Sequence, residues 1–339
     1  MNDAGRDDRV VNDAARDDAG ADAAGIDDTG RDDAGADAAG IGDAGRDDAA
    51  TEAFVAYRNL LFTVAYEMLG SAADAEDVLQ ETWLRWADVD LEQVRDQRAY
   101  LVRITTRQSL NRLRTLVRRR EAYVGPWLPE PVLTAPDVAE DVELAETVSM
   151  ALMLVLETLS PTERAVFVLR EAFAVDYDEI AAAVDKTPAA VRQIAHRARR
   201  HVEARRPRQK VSTATTRAVL ESFQRAYATG DLQGFLDVLA PDVVLLSDGG
   251  GVKQAALRPV VGAGKVARFV LGGSSRTDQA ITSELVTANG SPALILRLDG
   301  VLDGVMALRV EEDGIAGLYY VRNPAKLTRA ESPTALTLR

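Results

Sequence analysis

Thr187-Pro188-Ala189-Ala190-Val191-Arg192-Gln193-Ile194-Ala195-His196-Arg197-Ala198-Arg199-Arg200-His201-Val202-Glu203 reads as a capped helix with two unlike faces. Thr187 supplies an N-cap oxygen, and Pro188 sits in the first turn, where a missing N–H costs nothing. Val191, Ile194, Ala195, Ala198 and Val202 fall on one side at helical spacing, leaving Arg192, Gln193, His196, Arg197, Arg199 and Arg200 on the other. Asp176 and Glu179 open a shorter helix just before it, across the tight Asp185-Lys186-Thr187 connection. Two helices meeting at so short a turn are a helix-turn-helix. Its second helix suits the major groove, where Arg and Gln read base edges and further arginines neutralise phosphate. A solvated basic face on a helical bundle is the competing reading, and the preceding capped helix and short turn favour DNA. His196 reads as a base or phosphate contact and His201 as a helix-end residue, since neither has an acidic or cysteine neighbour in sequence.

Working toward the N-terminus, Ser160-Pro161-Thr162-Glu163 starts another helix, through Glu171, with helical periodicity resuming near Val142. Pro126, Pro129, Pro131 and Pro136 crowd residues 125–136 and predict a linker and a domain boundary. Before it, residues 97–120 form an arginine-rich helix with Tyr100, Leu101, Ile104, Leu110, Leu113 and Val117 as its core side. Ser71 and Asp74 cap a helix whose apolar side is Ala75, Val78, Leu79, Thr82 and Trp86 and whose other face is acidic and polar. Phe54, Tyr57, Leu61, Val64 and Met68 mark one buried stripe on the helix before that. Trp83 and Trp86 beside a cationic helix are candidate stacking surfaces for unpaired bases, with core packing the alternative, above all for Trp86.

The chain has 339 residues, too many for one core, so two or three domains are expected. It carries no cysteine and two histidines, which leaves metal, thiolate and Ser-His-Asp chemistry poorly supplied; no metal and no cofactor are expected. No apolar run is long enough to span a bilayer and no signal peptide is evident, so a cytoplasmic protein is expected, with no membrane partner. Of the net charge of −13, residues 1–50 hold a balance of −10 (15 aspartates against 5 arginines). Nine arginines and one acid between Arg95 and Arg120, and eight basic residues and one acid between Arg192 and Lys210, then form two cationic stripes. Residues 1–50 repeat Asp, Ala, Gly and Arg with almost no large apolar side chain, which predicts a disordered acidic tail.

Beyond Lys210 the pattern becomes α+β. Helices are expected at 215–228, 232–239 and 262–271, and strands at 243–246, 281–287, 292–299, 304–311 and 315–321, with Asn289-Gly290 and Asp313-Gly314 as hairpin turns.

The ordered motifs Asp74–Trp86, Tyr100–Ile104 and Leu159–Phe167 resemble regions 2 and 4 of extracytoplasmic-function (ECF) sigma factors over residues 51–206. The resemblance implies that core RNA polymerase and promoter DNA are the partners, with the β′ clamp and β flap as the polymerase contacts. Asp77, Gln80 and Glu81 would dock on the clamp helices. Arg103, Arg107, Gln108, Asn111 and Arg112 would read the −10 element, and Arg192, Gln193, His196, Arg197 and Arg200 the −35 element. Trp127-Leu128-Pro129-Glu130-Pro131, Asp248-Gly249-Gly250-Gly251 and Asn323-Pro324-Ala325-Lys326-Leu327 resemble the subgroup with a fused SnoaL-like domain. That resemblance implies a cone-shaped α+β barrel that touches the linker and tunes activity, with regulatory contacts at Trp127, Leu128, Pro129, Glu130, Pro131, Asp248, Gly249, Gly250, Asn323, Pro324, Lys326 and Leu327.

The expected organisation is therefore multidomain: an acidic tail (1–50), region 2 as an all-α module (51–121), a proline-rich linker (122–141), the region 4 helix-turn-helix (142–206), a short linker (207–214), the SnoaL-like domain (215–328) and a tail (329–339). The free chain is expected to be monomeric, and its barrel has room for an unidentified small ligand. Two rival readings follow. The cone could be a working cyclase or isomerase with Asp248, Asp237 or Asp299 as base, or the chain an ordinary operator-binding regulator without polymerase.

Overall fold

The computed structural model describes residues 37–134, 142–205, 211, 213–274 and 280–337. The chain divides into Met1–Gly45 and Arg46–Arg339. Of the first unit only the opening of a helix from Asp37 is described, and the expected tail over 1–36 lies outside the described residues.

Helix α1 (Asp37–Leu69) begins well before residue 50, which corrects the expectation of an unstructured segment through that position. Alanine is the strongest helix former. At Ala50 the structure adds a tertiary reason, because the Trp86 Nε1–H donates to its carbonyl at 2.8 Å. Helix α2 (Ala72–Ala87) starts at Ser71, whose hydroxyl accepts the Asp74 N–H, and α3 (Gln97–Arg120) packs along it. Residues 60–69 of α1 are buried on every side rather than along one stripe. Elements from later in the chain cover the faces that region 2 leaves open, so the amphipathic expectation was too narrow.

The helix-turn-helix module comprises α4 (Val142–Thr147), α5 (Met150–Leu156), α6 (Pro161–Phe167) continued by a π turn at Val168–Ala172, α7 (Tyr177–Val184) and α8 (Pro188–Glu203). Ser160 and Glu163 form the reciprocal capping box read from the sequence. Asp185 closes α7 in the left-handed conformation (φ 52°), which an aspartate tolerates better than most side chains. Val191, Ala195, Ala198 and Val202 are buried, as the apolar side of α8 requires.

The C-terminal module places α9 (Thr213–Thr229), α10 (Leu232–Asp237) and α11 (Ala263–Ser274) with a six-stranded sheet. Its strands are β1 (Leu239–Asp248), β2 (Val260–Val261), β3 (Ile281–Ala288), β4 (Ser291–Leu298), β5 (Val301–Glu311) and β6 (Gly314–Val321). The order is β2-β1-β6-β5-β4-β3, with β1 and β6 parallel and the other neighbours antiparallel. The expected closed cone is corrected: β2 and β3 are the sheet's two edges, and the sheet stays open. The two-residue β2 offers too little backbone to pair with a further strand.

Three apolar cores result. One joins α1–α3 to the helix-turn-helix module, and one lies between the C-terminal helices and sheet. The third is shared: Leu128 and Leu133 of the proline-rich segment, Met150 of α5 and Ile295, Val305, Val321 and Leu327 of the C-terminal module.

Trp86 is fully buried beside Tyr100, so it is core rather than a stacking surface. Replacing Trp86 with Ala should cost about 3–5 kcal/mol of stability, whereas Trp86→Phe should cost ~1 kcal/mol for the lost hydrogen bond. Urea unfolding with circular dichroism measures both, and equal losses would contradict the assignment.

Candidate functional site: a buried spine and two cationic helices

Residues 128–134, within the expected proline-rich linker, are all buried. A buried backbone must find partners for its polar groups. Pro129 and Pro131 carry no N–H, so two fewer donors need partners. Partners come from the C-terminal module and from region 2. From the C-terminal module, the Leu128 N–H donates to Asp248 Oδ2 (2.9 Å) and its carbonyl accepts from Lys326 Nζ (2.5 Å). From region 2, the Glu130 N–H donates to the Gly70 carbonyl (2.8 Å) and its carbonyl accepts from the Tyr66 hydroxyl (2.5 Å). Val132 exchanges two bonds with Asn289, and the Thr134 N–H reaches the Thr287 carbonyl.

Asp248 is fully buried at the end of β1. Besides Leu128 it accepts from Lys326 Nζ (2.7 Å), the Tyr123 hydroxyl (2.6 Å) and the Gly250 N–H (3.0 Å). Gly250 holds φ +63°, and a Cβ there would lie 2.4 Å from the Asn323 side chain, so the glycine is required. Asn323 donates to Tyr123 (2.8 Å) and caps the short turn Pro324–Lys326. Trp127 lies between two cations, with the Arg120 guanidinium 3.5 Å and Lys326 Nζ 4.0 Å from the ring centroid. Burial pulls the Lys326 ammonium down to about 8, against the opposing pull of Asp248. The structure thus brings Trp127, Leu128, Glu130, Asp248, Gly250, Asn323 and Lys326 into one cluster. Leu327 enters the shared core, Gly249 is buried beside Lys253, and Pro324 is exposed.

Glu130 turns the other way. Its Oε2 accepts the N–H groups of Ala72 (2.8 Å) and Ala73 (3.3 Å) and the Ser71 hydroxyl, capping the positive end of α2. Burial raises its pKa, and the Ala73, Ala72 and Ser71 bonds partly offset that rise.

Sequence reasoning did not find the roles of the β3–β4 turn, Tyr66 or the last residues. Asn289 was read only as a turn residue, yet it is buried and donates to the Tyr66 hydroxyl (2.6 Å) and the Val148 carbonyl (3.2 Å). The neighbouring Gly290, at φ +63°, lets the hairpin tip press on α4, where a Cβ would meet Ala145 Cα at 2.5 Å. The segment expected to be a tail lies against region 2: Leu336 enters the first core, the Thr337 N–H donates to Thr63 Oγ1 (3.1 Å), and Arg329 pairs with Glu76 (3.2 Å). No local pattern marks such contacts.

The two cationic surfaces differ in availability. On α8, Arg192, Gln193, His196, Arg197 and Arg200 are all exposed. Arg199 pairs instead with Glu171, and His201 Nε2 lies 2.7 Å from Thr158 Oγ1. On α3 the nominated residues are engaged. Arg103 stacks over Tyr100 (4.6 Å), and Arg107 donates to the Ala182 carbonyl (2.7 Å) and Asp185 (3.0 Å) at the helix-turn-helix turn. Gln108 is buried and donates to Glu81 (2.8 Å), and exposed Asn111 accepts from Arg114. Arg112 donates to Asp74 (2.7 Å) and to Asp77, with Glu81 at 3.8 Å. Residues nominated for two partners, Asp77 and Glu81 for polymerase and Gln108 and Arg112 for DNA, therefore meet each other. Gln80 is exposed.

The aspartates considered as catalytic bases occupy structural positions. Asp248 holds the spine, Asp237 accepts from Gln233, and Asp299 caps the Ala280 N–H. The buried carboxylate that the sequence did not single out, Asp303, receives two bonds from Arg322 and one each from Tyr320 and Lys253. Burial would raise its pKa, but the Arg322, Tyr320 and Lys253 bonds outweigh that and hold it below the usual carboxylate range, unlike a general base tuned toward neutrality. Among the described residues, no helix is long and apolar enough to cross a membrane.

Sigma-70 region 2 matches residues 53–119 and sigma-70, region 4 matches residues 149–202. The ECF RNA polymerase sigma factor SigJ of Mycobacterium tuberculosis is 38% identical over 291 residues, 81% of this chain and 92% of that protein. The probable ECF RNA polymerase sigma factor SigI of the same organism is 32% identical over 278 residues, 81% of this chain and 93% of that one. The crystal structure of the M. tuberculosis extracytoplasmic function sigma factor SigJ matches with a TM-score of 0.67 at 34% identity, over 82% of this chain and 98% of the other. Helical regions 2 and 4 followed by a SnoaL-like α+β module with an open sheet are thus its architecture, and the chain belongs to the ECF family of RNA polymerase sigma factors.

Proposed function

We propose that the chain binds core RNA polymerase through the Asp77, Gln80 and Glu81 face of α2, reads the −10 element from α3 and the −35 element from α8, and is held in a closed arrangement by its C-terminal module. It acts by binding rather than turnover. The observation that carries this reading is the buried 128–134 spine, whose backbone is satisfied only while region 2 and the C-terminal module both grip it.

Distance supports it. The two promoter elements lie ~25 base pairs apart, on the order of 80 Å of duplex at ~3.4 Å per base pair. In the closed arrangement Arg107 of α3 is bonded to Asp185 in the turn before α8, so the two readers are in contact. Between the end of α3 at Arg120 and the start of α5 at Met150, the chain could reach roughly 90–100 Å if fully extended at ~3.3 Å per residue. Only a released spine gives the readers the reach that a promoter asks for. The boundaries 51–121, 122–141, 142–206 and 215–328 are then the units that move, with 1–50, 207–214 and 329–339 flanking them. We further place the protein beside cytoplasmic polymerase as a monomer when free. A small ligand would have the open groove of about 1060 Å³ between α9, α11 and β3, rimmed by Arg225, Arg268 and Ser283.

Two outcomes test this. Asp248→Asn removes the charge that Lys326 needs; breaking such a buried pair costs about 3 kcal/mol. Trp127 fluorescence should then shift toward solvent and promoter-directed transcription by reconstituted holoenzyme should rise several-fold; unchanged emission and output would count against the closed arrangement. Charge reversal at Arg192 and Arg197 should abolish transcription while leaving polymerase association intact, whereas Asp77→Lys with Glu81→Lys should weaken association with core enzyme. Initiation unaffected by either pair would refute the assignment.

A further inference from the structure

Glu67 of α1 lies where region 2 meets the helix-turn-helix module, and it is 1% exposed. It lines a cavity of about 230 Å³ whose other walls are Thr147 of α4, Leu152 and Leu156 of α5, Phe167 and the π turn, and α8. Its Oε1 has no hydrogen-bond partner. The charged groups facing it are committed elsewhere. Arg164 of α6 spends Nε and Nη2 on the Glu67 backbone carbonyl (3.1 and 2.9 Å) and Nη1 on Glu157. Arg199 of α8 is held by Glu171 of the π turn, and the remaining charge on the cavity wall is Glu203, a like charge. An ionised carboxylate there would be both desolvated and unpaired, the costliest state for a buried acid.

We propose that Glu67 is a protonation-dependent latch: the closed arrangement holds it as the neutral acid, and parting of the two helical modules exposes it to water and releases one proton. This rests on the reading above that the modules separate in the working state. Nearly all the groups walling Glu67 off from solvent belong to the module that departs, so the proton must be lost as the interface opens.

Burial pushes the Glu67 carboxyl up to about 8, with the Thr147 bond and the Arg164 charge offsetting part of the rise. The sign follows from proton counting. The closed form binds the proton more tightly than the open form, whose carboxyl has the ordinary value of 4.5, so closing is favoured fully below that value and weakens as pH rises toward 8. The closed-to-open ratio should change by up to about tenfold per pH unit in that window. Burial also pulls Lys326 down to about 8, but its contribution is common to wild type and Glu67→Gln, so the difference between the two reports Glu67.

Two measurements on the full chain test the latch. The infrared difference between wild type and Glu67→Gln should contain a protonated-carboxyl band at pH 7 that fades with a midpoint near 8; a carboxylate signal at pH 7 overturns the proposal. The chain has no cysteine, so dyes placed through Glu92→Cys and Ala189→Cys report the distance between the modules alone. The urea concentration that parts them should fall from pH 6 to 7.5 in wild type relative to Glu67→Gln, which mimics the neutral acid; parallel pH dependences overturn it. Transcription that ignores pH while the dye midpoint moves would instead overturn the closed arrangement as the inactive state and leave the latch standing.

Discussion

A chain segment that is buried must pair its backbone polar groups, and residues 128–134 pair theirs with region 2 and the C-terminal module at once. The organisation of the protein follows from that constraint. Prolines at 129 and 131 lower the number of donors to be satisfied, which makes a sequence normally suited to exposed linkers suited to burial here. The remaining groups recruit a carboxylate, an ammonium, a phenol and an amide that lie far apart in sequence. Each partner is itself oriented: Asp248 by Tyr123 and Gly250, Tyr66 by Asn289, Lys326 between Asp248 and the Trp127 ring.

Such a network is costly to leave half satisfied. Removing the C-terminal grip would strand the Leu128 amide and carbonyl. The pairing of Arg107 with Asp185, and of Arg112 with Asp74 and Asp77, likewise satisfies charged groups inside the chain.

Cationic residues are distributed accordingly. The set on α8 is exposed, while the set on α3 is partly spent on intramolecular acids. Ion pairs at half-exposed positions are worth little each. The spine is different in kind: its pairs are buried, and exchanging them needs a conformational change.

By itself the amino-acid sequence determined the helices, strands and hairpin turns, because periodicity, caps and Asn-Gly or Asp-Gly pairs act within a few residues. Helix α3 and the caps of α6 and α8 follow from such signals, and the motifs around Trp127, Asp248 and Asn323 were legible as related contacts. The tertiary structure alone decided that residues 60–69 of α1 are buried all round, that Gln108 faces Glu81, that the sheet stays open, and that the 128–134 segment is buried. The reason is range: burial of one element depends on surfaces that arrive from more than a hundred residues away, as when Asn289 meets Tyr66, and no local pattern encodes which distant group completes a hydrogen bond.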